Sequence, residues 1–452
     1  MDSSLIRKYN VAGPRYTSYP TVPYWDPHSF SVETWKEKVT ETFLKTNDYG
    51  ISLYIHLPFC ESLCTYCGCN TRITINHKVE EPYIETVLKE WNMYLRIFKT
   101  KPTIKEIHLG GGTPTFFSSE NLERLINGIL SGAKRADDFE FGIEGHPNYT
   151  KPEQLQALFN LGFRRLSFGI QDFDLRVQEI VNRLQSFEQV KSITEAARSI
   201  GFESVNYDLI YGLPLQTKQS IIDTVEKVRQ LRPDRIAFYS YAHVPWIKPG
   251  QRKFTELDLP KDEEKRALYE LGRTMLEESG YVEIGMDHFA LQSDSLYQAS
   301  RNGSLHRNFM GYTTTSTKLQ IGLGVSSIGD SWNAFAQNVK VFEEYVKIVN
   351  DGNLPVFKGH FLSHEDLILR RHILNIMCRF ETSWKEESEQ HASLYDGLER
   401  LKEMVKDDLL TIEPFELRIT EKGRPFVRNI CMALDSRLWK SQPKTTIFSS
   451  TV

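Results

Sequence analysis

Six short β-prone runs alternate with helical stretches through the middle of this 452-residue chain. The runs are Ser52–Leu57, Glu106–Leu109, Phe139–Glu144, Arg165–Ile170, Ser204–Ile210 and Arg235–Ser240. Glu81–Phe98, Ser119–Leu130, Pro152–Leu161 and Gln219–Leu231 read as helices between them. Strands joined by helices demand parallel pairing, because only a crossover brings the chain back to start a parallel neighbour. Six units fit an incomplete (β/α)6 barrel, an α/β fold, better than a closed eight-fold one.

The flanks differ. Residues 1–35 are rich in Tyr, Pro, Thr and Ser and predict an extended arm. Residues 36–340 hold the partial barrel and its β-extension, with a helix over Lys261–Ser279 between Pro260 and Gly280 after the six units. A Gly-rich, β-like extension runs from Gly285 to Ile328. From about 341 to 452 helices and one hairpin predict a small, mostly helical, winged-helix-like domain. There Ser363-His-Glu-Asp366 forms a capping box opening a helix through Met377, and Leu409–Thr420 alternates as a hairpin does. The Ser/Thr-rich end after Ser441 predicts fraying.

Composition excludes several classes. A net charge of -4 makes no case for a nucleic-acid surface. The start, Met-Asp-Ser-Ser-Leu-Ile-Arg-Lys, lacks the apolar core of a signal peptide, and no run has the length of a membrane span. Six cysteines, four of them in one loop, argue against a disulfide framework and fit a reducing cytoplasm.

That loop, Cys60-Glu-Ser-Leu-Cys64-Thr-Tyr-Cys67-Gly-Cys69, follows the first strand. Four thiolates can close a tetrahedral zinc site. Zinc sites usually pair two knuckles across a longer loop, whereas here Cys67 and Cys69 are two apart. The C-x3-C-x2-C spacing of Cys60, Cys64 and Cys67 suits three irons of a [4Fe–4S] cube, leaving the fourth open to a small molecule. In β/α barrels working groups collect at the C-terminal ends of strands. Gly110-Gly-Gly112-Thr113-Pro114 ends the second strand, where main chain can approach a ligand closely. Glu144, Gln171 and Asp208 end or follow the next three, with helix capping or a salt bridge as the plain alternative. Arg183, on a helix, would ordinarily be solvated, and Tyr239-Ser-Tyr-Ala-His-Val-Pro245 lines either a flat pocket or the core.

The cysteine spacing resembles the radical S-adenosylmethionine superfamily. Within it, Tyr54-Ile-His-Leu-Pro-Phe-Cys60, Cys67-Gly-Cys69, Gly110-Gly-Gly-Thr-Pro-Thr115, Phe168-Gly-Ile-Gln-Asp-Phe173, Asp208-Leu-Ile-Tyr-Gly-Leu-Pro214, Tyr241-Ala-His-Val-Pro245, Gly285-Met-Asp-His-Phe-Ala290, His306-Arg-Asn-Phe309, Gly311-Tyr-Thr-Thr314 and Gly322-Leu-Gly-Val-Ser326 resemble the oxygen-independent coproporphyrinogen III oxidases. The likeness extends to Gly13-Pro-Arg-Tyr-Thr-Ser-Tyr-Pro20 and the C-terminal region.

The resemblance implies one [4Fe–4S] cluster on Cys60, Cys64 and Cys67, and two S-adenosylmethionine molecules. Tyr54, Gly111, Glu144 and Ile328 would contact the molecule chelated to iron. Tyr66, Cys69, Gly112, Thr113, Gln171, Arg183, Asp208 and Ala242 would line the second, with Cys69 a non-ligand thiol needed for activity and Tyr54 beside it as a catalytic candidate. It implies oxidative decarboxylation of two propionates of coproporphyrinogen III to the vinyls of protoporphyrinogen IX by a 5′-deoxyadenosyl radical. A reductant such as flavodoxin or ferredoxin, an unidentified electron acceptor and a monomeric state go with it. The substrate's four carboxylates call for cations, and Arg15, His306 and Arg307 are the candidates.

Two positions depart from the family pattern. Gly145-His146 precedes Pro147 where an acidic residue is usual, and Met310 stands where glutamine is usual. Two alternatives share the scaffold: a haem chaperone and a porphyrin methyltransferase. Cys69 weighs against both, the Gly13–Pro20 arm against the chaperone and Gly311-Tyr-Thr-Thr314 against the methyltransferase.

Overall fold

The computed structural model describes residues 3–26, 28, 30–246, 248–441 and 448–451. The six runs form strands β1 (Ile51–Leu57), β2 (Thr103–Gly111), β3 (Lys134–Gly145), β4 (Phe163–Gln171), β5 (Ser204–Tyr211) and β6 (Arg235–Ser240). They pair in parallel, in chain order. They belong to a twelve-stranded sheet. Gln320–Leu323 adds to β1 in parallel, and antiparallel strands extend both edges, so the barrel stays open.

Alternation within the strands sorts their faces. In β1, Leu53, Ile55 and Leu57 are fully buried in the main apolar core. Ser52, Tyr54 and His56 occupy the other face, in register with Glu106, His108 and Gly110 of β2. That inner face is polar along the whole barrel. A closed β/α barrel fills its interior with branched apolar side chains. Here the lower layer carries charge, with Arg165 paired to Glu140, and Arg235 held 2.7 Å from Asp294. The segment after Gly311 caps this end, Thr313 reaching Glu106 at 3.0 Å and Thr314 reaching Glu140 at 2.6 Å. Above that layer an interior cavity of about 630 Å3 is left open.

Several expectations need correction. The arm is not simply extended. It begins with a helix, Ser3–Tyr9, and Leu5, Tyr16 and Tyr19 pack into a second apolar core with the C-terminal region. The β-like extension contains a helix, Ser295–Asn302, capped by Asp294 and ended by left-handed Gly303. Phe342–Asn350 and Val356–Phe361, expected in the C-terminal domain, join the main body instead. Tyr345, Val349 and Leu354 lie in its core, and Val356–Phe361 is the edge strand of its sheet.

The second core is built by the helix His364–Arg379, a short strand, three further helices and a hairpin, the strands forming a three-stranded sheet. Residues 442–447 of the tail lie outside the described residues. Ser450 bridges Ala12, and Arg428 donates to the carbonyls of Pro14 and Ser450 at 3.0 and 2.6 Å, so arm and tail are pinned together. Among the described residues no helix is long and apolar enough to cross a membrane.

Candidate functional site

The chain leaves β1 at Leu57 and runs directly into the cysteine loop. The loop is held by backbone. Gly112 N–H donates to Leu57 O at 2.8 Å and Thr113 N–H to Phe59 O at 2.9 Å, so the glycine run lies along the loop's entrance. Thr65 N–H donates to Val181 O at 3.0 Å, and Asn182 to Leu63 O at 2.8 Å, tying the loop's middle to the turn after β4. These anchors leave the four thiols on one wall of a cavity of about 820 Å3.

The same cavity is lined by Tyr66, Gly111, Gly112, Thr113, Glu144, Gln171, Arg183 and Asp208. Residues spread over more than 140 positions thus meet at the C-terminal ends of β1 to β5. Tyr54, Ala242 and Ile328 do not line it. Tyr54 lies beneath, its hydroxyl 3.1 Å from His56 Nδ1 and its ring stacked on His108. The Ala242 carbonyl accepts from Gln251, whose amide also reaches Tyr66 O at 3.4 Å. Ile328 backs onto Gly322, next to β1 in the sheet.

Glu144 lies deep in the molecule yet opens on the cavity. Burial works against its charge, but His108, at 3.1 Å, and the Gly111 N–H, at 3.2 Å, outweigh it and hold the carboxyl below its usual range. Asp208 goes the other way. Burial, helped by the Glu144 charge, pushes it up to about 6, against hydrogen bonds from Asn206 and Ser167. Arg183 Nη1 lies 3.5 Å from Cys64 Sγ, and its Nη2 donates to Gly169 O. Burial disfavours that cation, but Tyr66 and Cys64 more than compensate and raise its pKa.

Burial pushes the Cys60 thiol up to about 11, although the Thr113 hydroxyl, 3.3 Å away, opposes it. Cys67 and Cys69 share a hydrogen bond that lowers Cys67 and raises Cys69.

Two buried polar atoms on this cavity have no partner, Gln171 Oε1 and Arg183 Nε. Such groups are costly unless a ligand satisfies them. Gln171 is moreover fixed in the left-handed region, at φ 67°. The thiols fit a cluster. Among the described residues no group of three His, Cys, Asp or Glu converges on a single ion. A cube offers its irons at separate corners, so its thiolates need not converge.

The interior cavity adjoins this one, since Glu144, Ser167 and Asp208 line both. His108, Ser167 and Asn206 were missed by motif reading. Their signal was positional, the inward face of β2, β4 and β5. Of the two departures, His146 lines the cysteine cavity as a neutral ring, pushed down to about 2 by burial and the Arg183 charge. Met310 lines the interior cavity.

The candidate cations separate. Arg15 Nη2 is 3.1 Å from Asp287, with its guanidinium 5.7 Å from the Tyr239 ring centre. Arg307 is 6% exposed, lies against the Tyr312 ring, and leaves Nε and Nη1 without partners. Burial, then the charges of Arg370 and Lys318, push the His306 ring down to about 3, so it offers a carboxylate an N–H donor rather than a charge.

Asp208 sets a pH dependence. Its folded-state pKa lies above the usual carboxylate value, so its contribution to folding is present in acid and fades as pH rises through about 6. Affinity for a cationic ligand moves oppositely, since only the ionised form attracts it. S-adenosylmethionine affinity measured by equilibrium dialysis should rise about ten-fold across that titration, the worth of one charged hydrogen bond. Asp208→Asn should flatten the profile; an unchanged profile would remove Asp208 from the site.

An open parallel barrel with a three-cysteine loop at its mouth is the arrangement of a radical S-adenosylmethionine enzyme, and residues 54–228 match the model of the Radical SAM superfamily. That superfamily works with a [4Fe–4S] cluster and S-adenosylmethionine. The oxygen-independent coproporphyrinogen III oxidase of Helicobacter pylori is 38% identical over 453 residues, covering 97% of each chain. That of Escherichia coli is 37% identical, covering 97% of this chain and 95% of its own. The solved structure of the Escherichia coli coproporphyrinogen III oxidase, described as a radical SAM enzyme, matches with a TM-score of 0.90 at 35% identity, over 96% of this chain and 98% of that one. The chain belongs to the family of oxygen-independent coproporphyrinogen III oxidases.

Proposed function

We propose that the chain converts two propionates of coproporphyrinogen III to the vinyls of protoporphyrinogen IX in haem biosynthesis, without oxygen. The observation that carries this reading is the single cavity where Cys60, Cys64 and Cys67 face Glu144, Gln171, Arg183 and Asp208. Family membership supplies the substrate.

Cys60, Cys64 and Cys67 would hold the cluster. When bound, the reduced cluster and S-adenosylmethionine supply a carbon radical able to take hydrogen from an unactivated C–H bond. Each propionate then loses one hydrogen atom, one electron and CO2, so an external reductant and a terminal electron acceptor are required.

The protein's share is binding and orientation. The ionised Glu144 would accept from a cationic amine, with the Gly111 main chain beside it for the same molecule and Gly112 turned to the second. Tyr54 and Ile328 support that side from below. The second S-adenosylmethionine is the one that family resemblance implies, and the unsatisfied polarity gives it a wall. Gln171 Oε1 and Arg183 Nε await partners on the wall formed with Tyr66, Cys69, Thr113 and Asp208, with Ala242 behind it. Arg183 suits a carboxylate, and Cys69 lines the same cavity. The arm brings Arg15 toward Tyr239, and Arg307 presents unsatisfied donors nearby, so both suit substrate carboxylates. A monomer and a reducing cytoplasm are consistent with this reading.

Anaerobic incubation of reconstituted protein with coproporphyrinogen III, S-adenosylmethionine, reductant and acceptor should yield a tetrapyrrole lighter by two CO2. An intact tetrapyrrole beside an intact cluster would favour the haem-chaperone reading, and a methylated one the methyltransferase. Arg15→Ala should weaken substrate binding about ten-fold, the loss of one charged hydrogen bond, with iron content unchanged. Unaltered affinity would remove Arg15 from the substrate site.

A further inference from the structure

Outside the cysteine cavity lies a separate cleft that shares no lining residue with it. Three parts of the chain wall it: the arm, the helix Asp262–Glu278 with the turn near Asp287, and the C-terminal region. Five arginines line it, Arg15, Arg266, Arg273, Arg424 and Arg428, against two carboxylates, Glu283 and Asp287. Tyr211, Tyr269 and Phe380 add flat apolar faces.

The arginines divide by role. Arg428 is committed to backbone carbonyls of the arm and tail, and so fixes the arm over the cleft. Arg273 is shared among Glu270, Glu277 and Glu283. Arg424 stacks on Phe380, and its one ion pair is to Glu421, whose side chain is 81% exposed. An exposed pair is weak. Arg424 can therefore turn to an incoming anion at little cost.

The cleft lies in series with the site. Asp208 lines both the cysteine and the interior cavities, Tyr239 lines the interior cavity, and Arg15 stands over the Tyr239 ring while lining the cleft. A guanidinium takes a carboxylate through two parallel hydrogen bonds, and aromatic walls suit pyrrole rings. We propose that this cleft holds the two propionates that the reaction leaves in place. The proposal rests on the substrate assigned under Proposed function. Recognising retained groups would let one anchor serve substrate and product alike, while the reacting propionates face the cysteine cavity.

The test uses the full-length, cluster-loaded protein and stable oxidised porphyrins, with binding read by fluorescence. Arg424→Gln should weaken both coproporphyrin III and protoporphyrin IX about ten-fold or more, the worth of one charged hydrogen bond, and Arg424→Lys should restore part of the loss. Protoporphyrin IX dimethyl ester, which lacks both charges, should bind wild type and variant alike. Arg273→Gln, which removes a guanidinium already shared among three carboxylates, should leave both affinities close to wild type. If it fails to fold, Arg424→Gln alone decides the matter. Unchanged affinities in a folded, iron-replete Arg424→Gln protein overturn the proposal. A wild type that turns over coproporphyrinogen III beside an unaltered Arg424→Gln protein sinks only the cleft assignment. A wild type that makes no such product sinks the functional reading itself.

Discussion

Cys64→Ala protein, reconstituted anaerobically with iron and sulfide, is expected to hold close to no iron, against about four atoms per chain in the wild type. The reason is that only three thiols of the loop have the spacing of cube ligands, and two cannot retain a cube that has one open corner already. The fold should survive. Cys64 Sγ meets the Arg183 guanidinium at 3.5 Å and the Tyr66 hydroxyl, while the loop's course is set by backbone bonds at Thr65 and by Asn182. Melting of the cluster-free forms should therefore coincide, and 5′-deoxyadenosine production should vanish. Cys69→Ala provides the contrast, with iron retained and tetrapyrrole turnover lost. Full iron in Cys64→Ala, or none in Cys69→Ala, would reassign the ligands.

The second large effect falls on Gly112. A Cβ there would sit 2.6 Å from the Pro58 carbonyl and 2.8 Å from Phe59 O, both backbone atoms at the entrance of the cysteine loop. No rotamer change relieves a clash with main chain. Either the loop or the end of β2 must move, breaking the Gly112–Leu57 and Thr113–Phe59 hydrogen bonds that align them. Gly112→Ala should lose about 1–3 kcal/mol of stability, as overpacking does, and S-adenosylmethionine binding with it. Gly68→Ala, in the same loop but with no atom within 4 Å of its Cβ, is the matched stability control. Equal melting temperatures for the two would show that the close approach at Gly112 is not needed.

The barrel was legible because its outward face is continuous. Leu53, Ile55 and Leu57, or Leu166, Phe168 and Ile170, carry a strand signal that no helix spacing imitates. The missed helix Ser295–Asn302 had weaker marks, since it lies between Asp294 and Gly303 but Gly and Ser around it read as β-like. The arm could not be read alone, since Leu5, Tyr16 and Tyr19 are ordered by a core built from the far end of the chain.

In the site, residue types at strand ends pointed to the cavity. Environment was not legible. Glu144 and Asp208 are both carboxylates at strand ends, yet His108 holds one down while burial lifts the other. His306 and Arg307 adjoin in sequence, yet one is a neutral ring and the other a buried cation with free donors.

The central claim is hydrogen abstraction from a propionate β-carbon followed by loss of CO2. It is tested most directly with coproporphyrinogen III deuterated at those carbons, by mass spectrometry of both products of an anaerobic turnover. One deuterium should appear in 5′-deoxyadenosine for each vinyl formed. Unlabelled 5′-deoxyadenosine beside an intact tetrapyrrole would contradict it.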